Sequence, residues 1–186
     1  MKKILSVIAL AILLPSCHHM FSQDVKINPV LNQLSTNHTS KSYSLNVTDK
    51  RENKGAIGSR WEVFGGEIYV SRNLATIVED KFNNSLIKSG FRKGNDSKIE
   101  IKISNLEYGT KRNLFSIGYN CSFAINVMVM DKNNSLKFNE MFSKKEEKTS
   151  SYAPFASTNE EFINSVISRV LNNVLADEKF IEALSK

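Results

Sequence analysis

The sequence predicts an α+β domain: a single antiparallel or mixed β-sheet with two amphipathic helices packed on one face. Three observations carry this. Several separated runs alternate apolar and polar residues, as half-buried strands do. Two longer segments repeat apolar residues at helical spacing. No internal repeat or second apolar cluster calls for another core.

The elements follow in order. Ser42–Thr48 alternates, with Tyr43, Leu45 and Val47 on one face, and Asp49-Lys50-Arg51 ends it in a turn. Gly55–Phe64 is a second strand, broken by Gly65-Gly66, and Glu67–Val70 a third, short one. Leu74, Ile77, Val78, Phe82, Leu86 and Ile87 line a helix that Ser71 or Asn73 caps, and Gly90 stops it in a left-handed residue. Phe91 then folds back on the last turn. Lys98–Leu106 sets Ile99, Ile101 and Ile103 on one face. Gly118–Asp131 repeats the pattern through Tyr119, Cys121, Phe123, Ile125, Val127 and Val129. Its other face turns apolar towards Met128 and Met130, so cover on both faces is expected there. After the turn at 131–135, Leu136–Lys148 returns as a partner strand whose charged second half suits an exposed edge. Thr158-Asn-Glu-Glu161 reads as a capping box opening the clearest helix, with Phe162, Ile163, Val166, Ile167, Val170, Leu171, Val174 and Leu175 on its apolar face. Asp177 caps a short terminal helix carrying Phe180, Ile181 and Leu184.

Composition narrows the classes of function. The 186 residues carry a net charge of +6, 41% are hydrophobic, and 8 Gly and 2 Cys exclude collagen-like and disulfide-dense chains. Two of the lysines sit in the first three residues, and the remaining positive charge is spread out. A nucleic-acid binder needs a clustered basic face, so nucleic acid is not an expected partner.

The first residues read as an address. Lys2 and Lys3 precede an uncharged apolar run, Ile4–Leu14. As a helix it rises only about 16 Å, short of the roughly 20 residues a bilayer core demands. This is the layout of a secretory signal peptide. The run ends in Leu14-Pro15-Ser16-Cys17, which resembles the bacterial lipobox, although Pro15 is less usual there. That resemblance implies cleavage before Cys17 and acylation of its sulfur and new amine, and several acyl chains anchor stably. The alternative is an ordinary secreted protein with an incidental Cys17. The expected organisation is a signal peptide over 1–16, a lipidated N-terminus and tether over 17–41, and one domain over 42–186. Part of the tether, near Val25–Val30, is a candidate edge strand.

The ordered set of motifs resembles the YajG-type lipoproteins. It comprises the signal and lipobox, Asp49-x-Arg51, Ile57-Gly58, Ser71-Arg72-Asn73-Leu74, Gly90-Phe91, Ile99-x-Ile101-x-Ile103-x-x-Leu106, the Tyr119 strand and the closing helix. The resemblance spans nearly all of the mature chain and implies an envelope lipoprotein of α+β fold. It brings no catalytic residues. His18 rather than Asp follows the cysteine. In families that obey that sorting rule, this implies the periplasmic side of the outer membrane.

Residues for chemistry are sparse. His18, His19 and His38 all fall in the expected tether, without a third ordered ligand, so neither a metal site nor another cofactor is expected. There is no G-x-S-x-G elbow and no phosphate-cradling glycine loop. Cys121 lies in an alternating strand and reads as a small buried hydrophobe. Asp49 and Arg51 project together from an extended chain, either as a partner-docking pair or as a local turn bridge. Trp61, Phe64 and Tyr69 form either part of the core or a binding rim, and Tyr152, Pro154 and Phe155 either cover the last long helix or extend that rim.

The expected protein is a non-enzymatic lipoprotein held to a membrane by Cys17. It presents Asp49, Arg51, Trp61 and Phe155 to an envelope protein partner, and its oligomeric state is left open. A lipid-handling or ABC-transporter accessory lipoprotein is the alternative and requires an apolar groove between helices and sheet. An envelope hydrolase is a second alternative and requires a concave pocket holding a group of perturbed pKa.

Overall fold

A computed structural model describes residues 22–34, 41–60, 66–70 and 73–185. Lipobox residue Cys17 and the aromatic residues Trp61 and Phe64 lie outside them. Eight strands and three helices occur among the described residues: β1 (Gln23–Val25), β2 (Ser42–Asp49), β3 (Ala56–Ser59), β4 (Glu67–Val70), α1 (Leu74–Lys88), β5 (Arg92–Lys93), β6 (Ser97–Arg112), β7 (Ile117–Asp131), β8 (Leu136–Ser150), α2 (Ala156–Ala176) and α3 (Glu178–Ser185).

The frame is a long antiparallel meander, β6-β7-β8, held by two short connections. Two groups of short strands share the free edge of β6. One half of that edge takes β2, parallel, with β5 beyond it. The other half takes β3, parallel through Gly58 and Tyr108, and then β4 and β1. The sheet is therefore mixed, and one face carries three helices where two long ones were expected, because the short terminal helix also packs into the core through Phe180 and Leu184.

A bulge makes this sharing possible. Ile103 faces Ile125 and Asn105 faces Ala124, which leaves Ser104 as an extra residue in β6. Side chains alternate with a period of two, so one inserted residue exchanges the faces. Before the bulge the odd residues Ile99, Ile101 and Ile103 are buried; after it the even residues Leu106, Tyr108 and Thr110 are. Both halves thus address the same core, and β2 parts from β6 where the bulge begins. Beyond the bulge the sheet approaches β3 so closely that a Cβ on Gly58 would collide with the Tyr108 carbonyl.

Local signals place the helices. The Asn73 side chain caps α1 by accepting from the Ala75 N–H. Gly90, at φ 93°, ends it, and buried Phe91 returns an N–H to the Leu86 carbonyl. The Asp177 carboxylate accepts from Phe180 N–H at 2.9 Å and caps α3. The capping box expected at Thr158 is not formed: α2 starts two residues earlier, at Ala156, without a side-chain cap. The Gln23 amide donates to the Ala156 carbonyl at 2.7 Å and ties β1 to the first turn of α2.

Residues 23–34, expected within a tether, are an integral part of the domain. Buried and exposed residues alternate from Gln23 to Val30, and Val25, Ile27 and Leu34 join the core. After β1 the chain runs along α2 as a strap. The N–H groups of Lys26, Asn28, Val30 and Asn32 donate in turn to Glu160, Asn164, Ser168 and Asn172, at 2.6–3.0 Å. Asn164 and Asn172 also donate back to the Lys26 and Val30 carbonyls. The match is geometric: two residues of extended chain rise about 6.6 Å and four residues of helix about 6.0 Å. The strap's other edge meets α1, where Ser85 donates to the Asn32 carbonyl and Ser89 accepts from Leu34 N–H. The strap therefore fills the seam between the two long helices.

Candidate functional site

Asp49, the last residue of β2, opens the loop over 50–55. Its Oδ1 accepts from the Arg51 backbone N–H at 3.1 Å, an Asx turn. The Arg51 guanidinium then folds back on the same carboxylate: Nε lies 3.0 and 3.2 Å from the two oxygens and Nη2 lies 2.7 Å from Oδ2. The Arg51 side chain is only 5% exposed and that of Asp49 12%. Burial pushes the Asp49 carboxyl pKa up, but the Arg51 hydrogen bonds and charge, helped by Lys54, outweigh burial and hold it below its ordinary value. Nη1 of Arg51 and the neighbouring Thr48 hydroxyl are buried without a hydrogen-bond partner among the described residues. The pair is a latch that fixes the loop at the fork between β2 and β3.

Two open depressions flank this latch. One, of about 770 Å³, runs over the bulge between the loop and the Ser104–Glu107 stretch of β6. The other, of about 470 Å³, lies between the loop and the start of α1, with Thr48, Lys54 and Asn73 in its wall. Neither separates the helices from the sheet. That space is filled by fully buried Val78, Phe82, Phe162, Val166 and Val170.

The remaining site residues fall elsewhere. Phe155 precedes α2 and is 64% exposed, with its ring 6.0 Å from that of Tyr152. Asp49 pairs with Ile103, whereas the strand before Phe155 ends at Ser150, which shares the level of Ile117 and Arg112. Nine residue steps of β6 separate the two levels, about 30 Å. Asp49–Arg51 and Phe155 therefore do not form one surface. Tyr69 lies on β4, its hydroxyl donating to Glu67. Cys121 is fully buried, and burial, with a smaller push from Glu146, raises its thiol pKa to about 12, so the thiolate nucleophile is suppressed. Among the described residues no three His, Cys, Asp or Glu gather as metal ligands.

Two features escaped the sequence reading. One is a buried polar chain: Tyr108 donates to Asn159 at 2.6 Å, and Asn159 donates to Gln23 at 2.9 Å. The other is the tip of the β6–β7 hairpin, where Leu114 and Phe115 stand 88% and 87% exposed. Its signal was an apolar pair placed between strands, inside a turn.

A family model described as uncharacterized lipoprotein matches residues 26–185. The chain belongs to this family. The match begins inside the strap and so includes the strap-and-helix unit. Membership makes the protein a lipoprotein of the bacterial envelope, anchored to a membrane; no described helix is long and apolar enough to cross one. The lipoprotein's fold is similar to that of a Xanthomonas campestris protein of the DUF330 family, at 11% identity and a TM-score of 0.53, covering 89% of this chain and 95% of that one. A minor lipoprotein from Acinetobacter baumannii is similar at 7% identity and a TM-score of 0.47, over 73% of this chain and 89% of that one. No curated protein matches the lipoprotein in sequence.

Proposed function

We propose that this lipoprotein is a non-enzymatic adaptor, acylated at Cys17 and held on the periplasmic side of the outer membrane. It presents the rim around the Asp49–Arg51 latch to an envelope protein partner. The observation that carries the reading is the filled interior: the helices, strap and sheet close on one another, and the concave features nearest the latch are open. A lipid-handling accessory protein requires an acyl-sized apolar groove at that seam, where Ile27, Val166 and Val170 are packed. The finer likeness to YajG-type lipoproteins rests on the order of motifs, and the outer-membrane placement on His18 after Cys17. Because Arg51 is buried, the partner meets the exposed residues beside it, Lys50 and Glu52.

Photo-crosslinking in cells from positions 50 and 52, read by mass spectrometry, tests the reading. One dominant protein adduct is expected, and adducts to phospholipid alone refute it. For the anchor, Cys17→Ala is expected to release the folded domain from membranes. A variant that stays membrane-bound after a high-salt wash refutes lipid attachment at Cys17.

A further inference from the structure

Four large, exposed apolar side chains gather at one end of this domain. The β6–β7 hairpin ends in Lys111-Arg112-Asn113-Leu114-Phe115-Ser116, and the loop after β8 brings Tyr152 and Phe155 to the same end, since Ser150 pairs with Ile117. Leu114 and Phe115 are nearly fully exposed, and Tyr152 and Phe155 are each 64% exposed. Large apolar side chains held this far into water, grouped at a tip, mark an interaction site. The tip's own segments are basic: residues 108–119 and 148–159 contain no acid, and they supply exposed Lys111, Arg112 and Lys148, the last with its ammonium 5.0 Å over the Phe162 ring, while exposed Glu67 and Glu147 lie further from the tip, at the Gly109 level.

The N-terminus leaves the domain at this end too. Gln23 pairs with Ile68, Ile68 with Gly58 and Gly58 with Tyr108, so Gln23 lies at the level of Tyr108. Because β1 runs opposite to β6, Ser22 lies one step nearer the tip. Five residue steps then separate Ser22 from Cys17, a covalent reach of at most about 18 Å. Five residues likewise separate the Gly109 level from Leu114. A membrane that holds Cys17 is therefore within reach of the hairpin tip.

We infer that this end is a membrane-docking surface: Leu114 and Phe115 enter the interfacial layer of an anionic phospholipid leaflet, with Tyr152 and Phe155 beside them. Lys111, Arg112 and Lys148 sit at headgroup level. Apolar side chains at a rigid tip bury below the headgroups while neighbouring basic residues pair with lipid phosphates, and the two contributions add. The inference rests on the lipid anchor proposed above, because the short reach from Cys17 is what sets this end against the membrane. A docked tip fixes the domain's long axis and points the other end away from the leaflet.

The test uses the purified, lipidated protein carrying Phe115→Trp in a Trp61→Phe background, reconstituted into phosphatidylethanolamine–phosphatidylglycerol vesicles with brominated acyl chains. Phe115 is exposed, so the substitution leaves the core untouched. The control is Leu136→Trp in the same background, an exposed position at the start of β8 and the opposite end of the sheet. Bromine quenching at position 115 is expected to exceed that at position 136 by about twofold or more, and to weaken when phosphatidylglycerol is omitted. Equal, weak quenching in protein that floats with the vesicles overturns the docking surface and leaves the anchor standing. Failure to float overturns both. An indole at 115 that escapes bromine quenching yet is shielded from aqueous iodide places a second protein copy over the tip and also overturns the proposal.

Discussion

Among the described residues, replacing Asp49 by alanine removes every hydrogen bond made by the Arg51 guanidinium, since Nε and Nη2 bond the Asp49 carboxylate and Nη1 has no partner there. In the folded arrangement the stranded guanidinium is only 5% exposed. Leaving one member of a buried ion pair uncompensated costs about 3–5 kcal/mol. The 12% exposure of Asp49 admits some water to the vacated site and puts the cost near the lower end, about 3 kcal/mol. At a urea slope of about 2 kcal/mol/M this moves the unfolding midpoint down by about 1.5 M. Adding Arg51→Met to Asp49→Ala removes the charge as well, and the double variant is expected to regain most of the loss. Urea unfolding followed by circular dichroism measures all four corners of the cycle. If the double variant is as unstable as the sum of the two single ones, the latch is not a coupled pair and the reasoning fails. The same pair sets a pH response. The folded pKa of Asp49 lies below the ordinary 3.8, so its stabilisation is fully present above that value and is lost as the pH falls through the lower, folded one. Wild-type protein is therefore expected to lose more stability below pH 4 than Asp49→Ala does.

Other outcomes follow from the packing. Deleting Ser104 removes the extra residue and lets the alternation run unbroken from Ile103 to Leu106, so Leu106, Tyr108 and Thr110 keep facing the core and a folded variant with a cooperative urea transition is expected; a chain that lacks that transition would show that the local bend of the bulge is required as well as the register. Asn159→Ala strands the Tyr108 hydroxyl and the Gln23 carbonyl inside the protein, for an expected loss of about 2–4 kcal/mol by thermal and urea unfolding. Val170→Asp places an unpaired carboxylate at a fully buried position of α2 and is expected to abolish folding, read as loss of the near-ultraviolet circular dichroism signal. Asn164→Ala breaks one rung of the strap ladder at an exposed edge, where water replaces the lost partner; the expected cost is at most about 1 kcal/mol, with faster amide exchange confined to residues near Asn28.

What the sequence disclosed was local. The apolar stripes of α1 and α2, the cap at Asn73, the stop at Gly90 and the turn after Asp131 each depend on residues within a few positions of one another, and each appears in the structure. Strand β6 was read only to Leu106, because Ser104 interrupts the alternation and the interruption looks like an end; pairing with β7 reveals it as a bulge. The strap was unreadable for a different reason. Its backbone is satisfied by side chains more than 130 residues away in the chain, and the Asn and Ser residues that do this look like an ordinary solvated helix face. Thr158 had the local signature of a cap, but the N-cap position falls three residues earlier, at Phe155, which makes no side-chain cap. At the candidate site, the spacing of Asp49 and Arg51 showed that the two could meet, whereas the burial that turns their contact into a latch comes from strands and helix the spacing does not contain.

The strap also has a mechanical meaning. Tension applied at Ser22 pulls along the direction in which the strap runs, so the rungs from Lys26 to Asn32 lie across the line of force. They must slide together, sharing the load, where a perpendicular pull would open them one after another like a zip. Slipping by one register would also drag Val25 and Ile27 out of their sockets in the apolar interior. The domain thus meets a tug on its membrane leash at the joint built to resist it, and the weaker exposed loops at its far end stay unloaded.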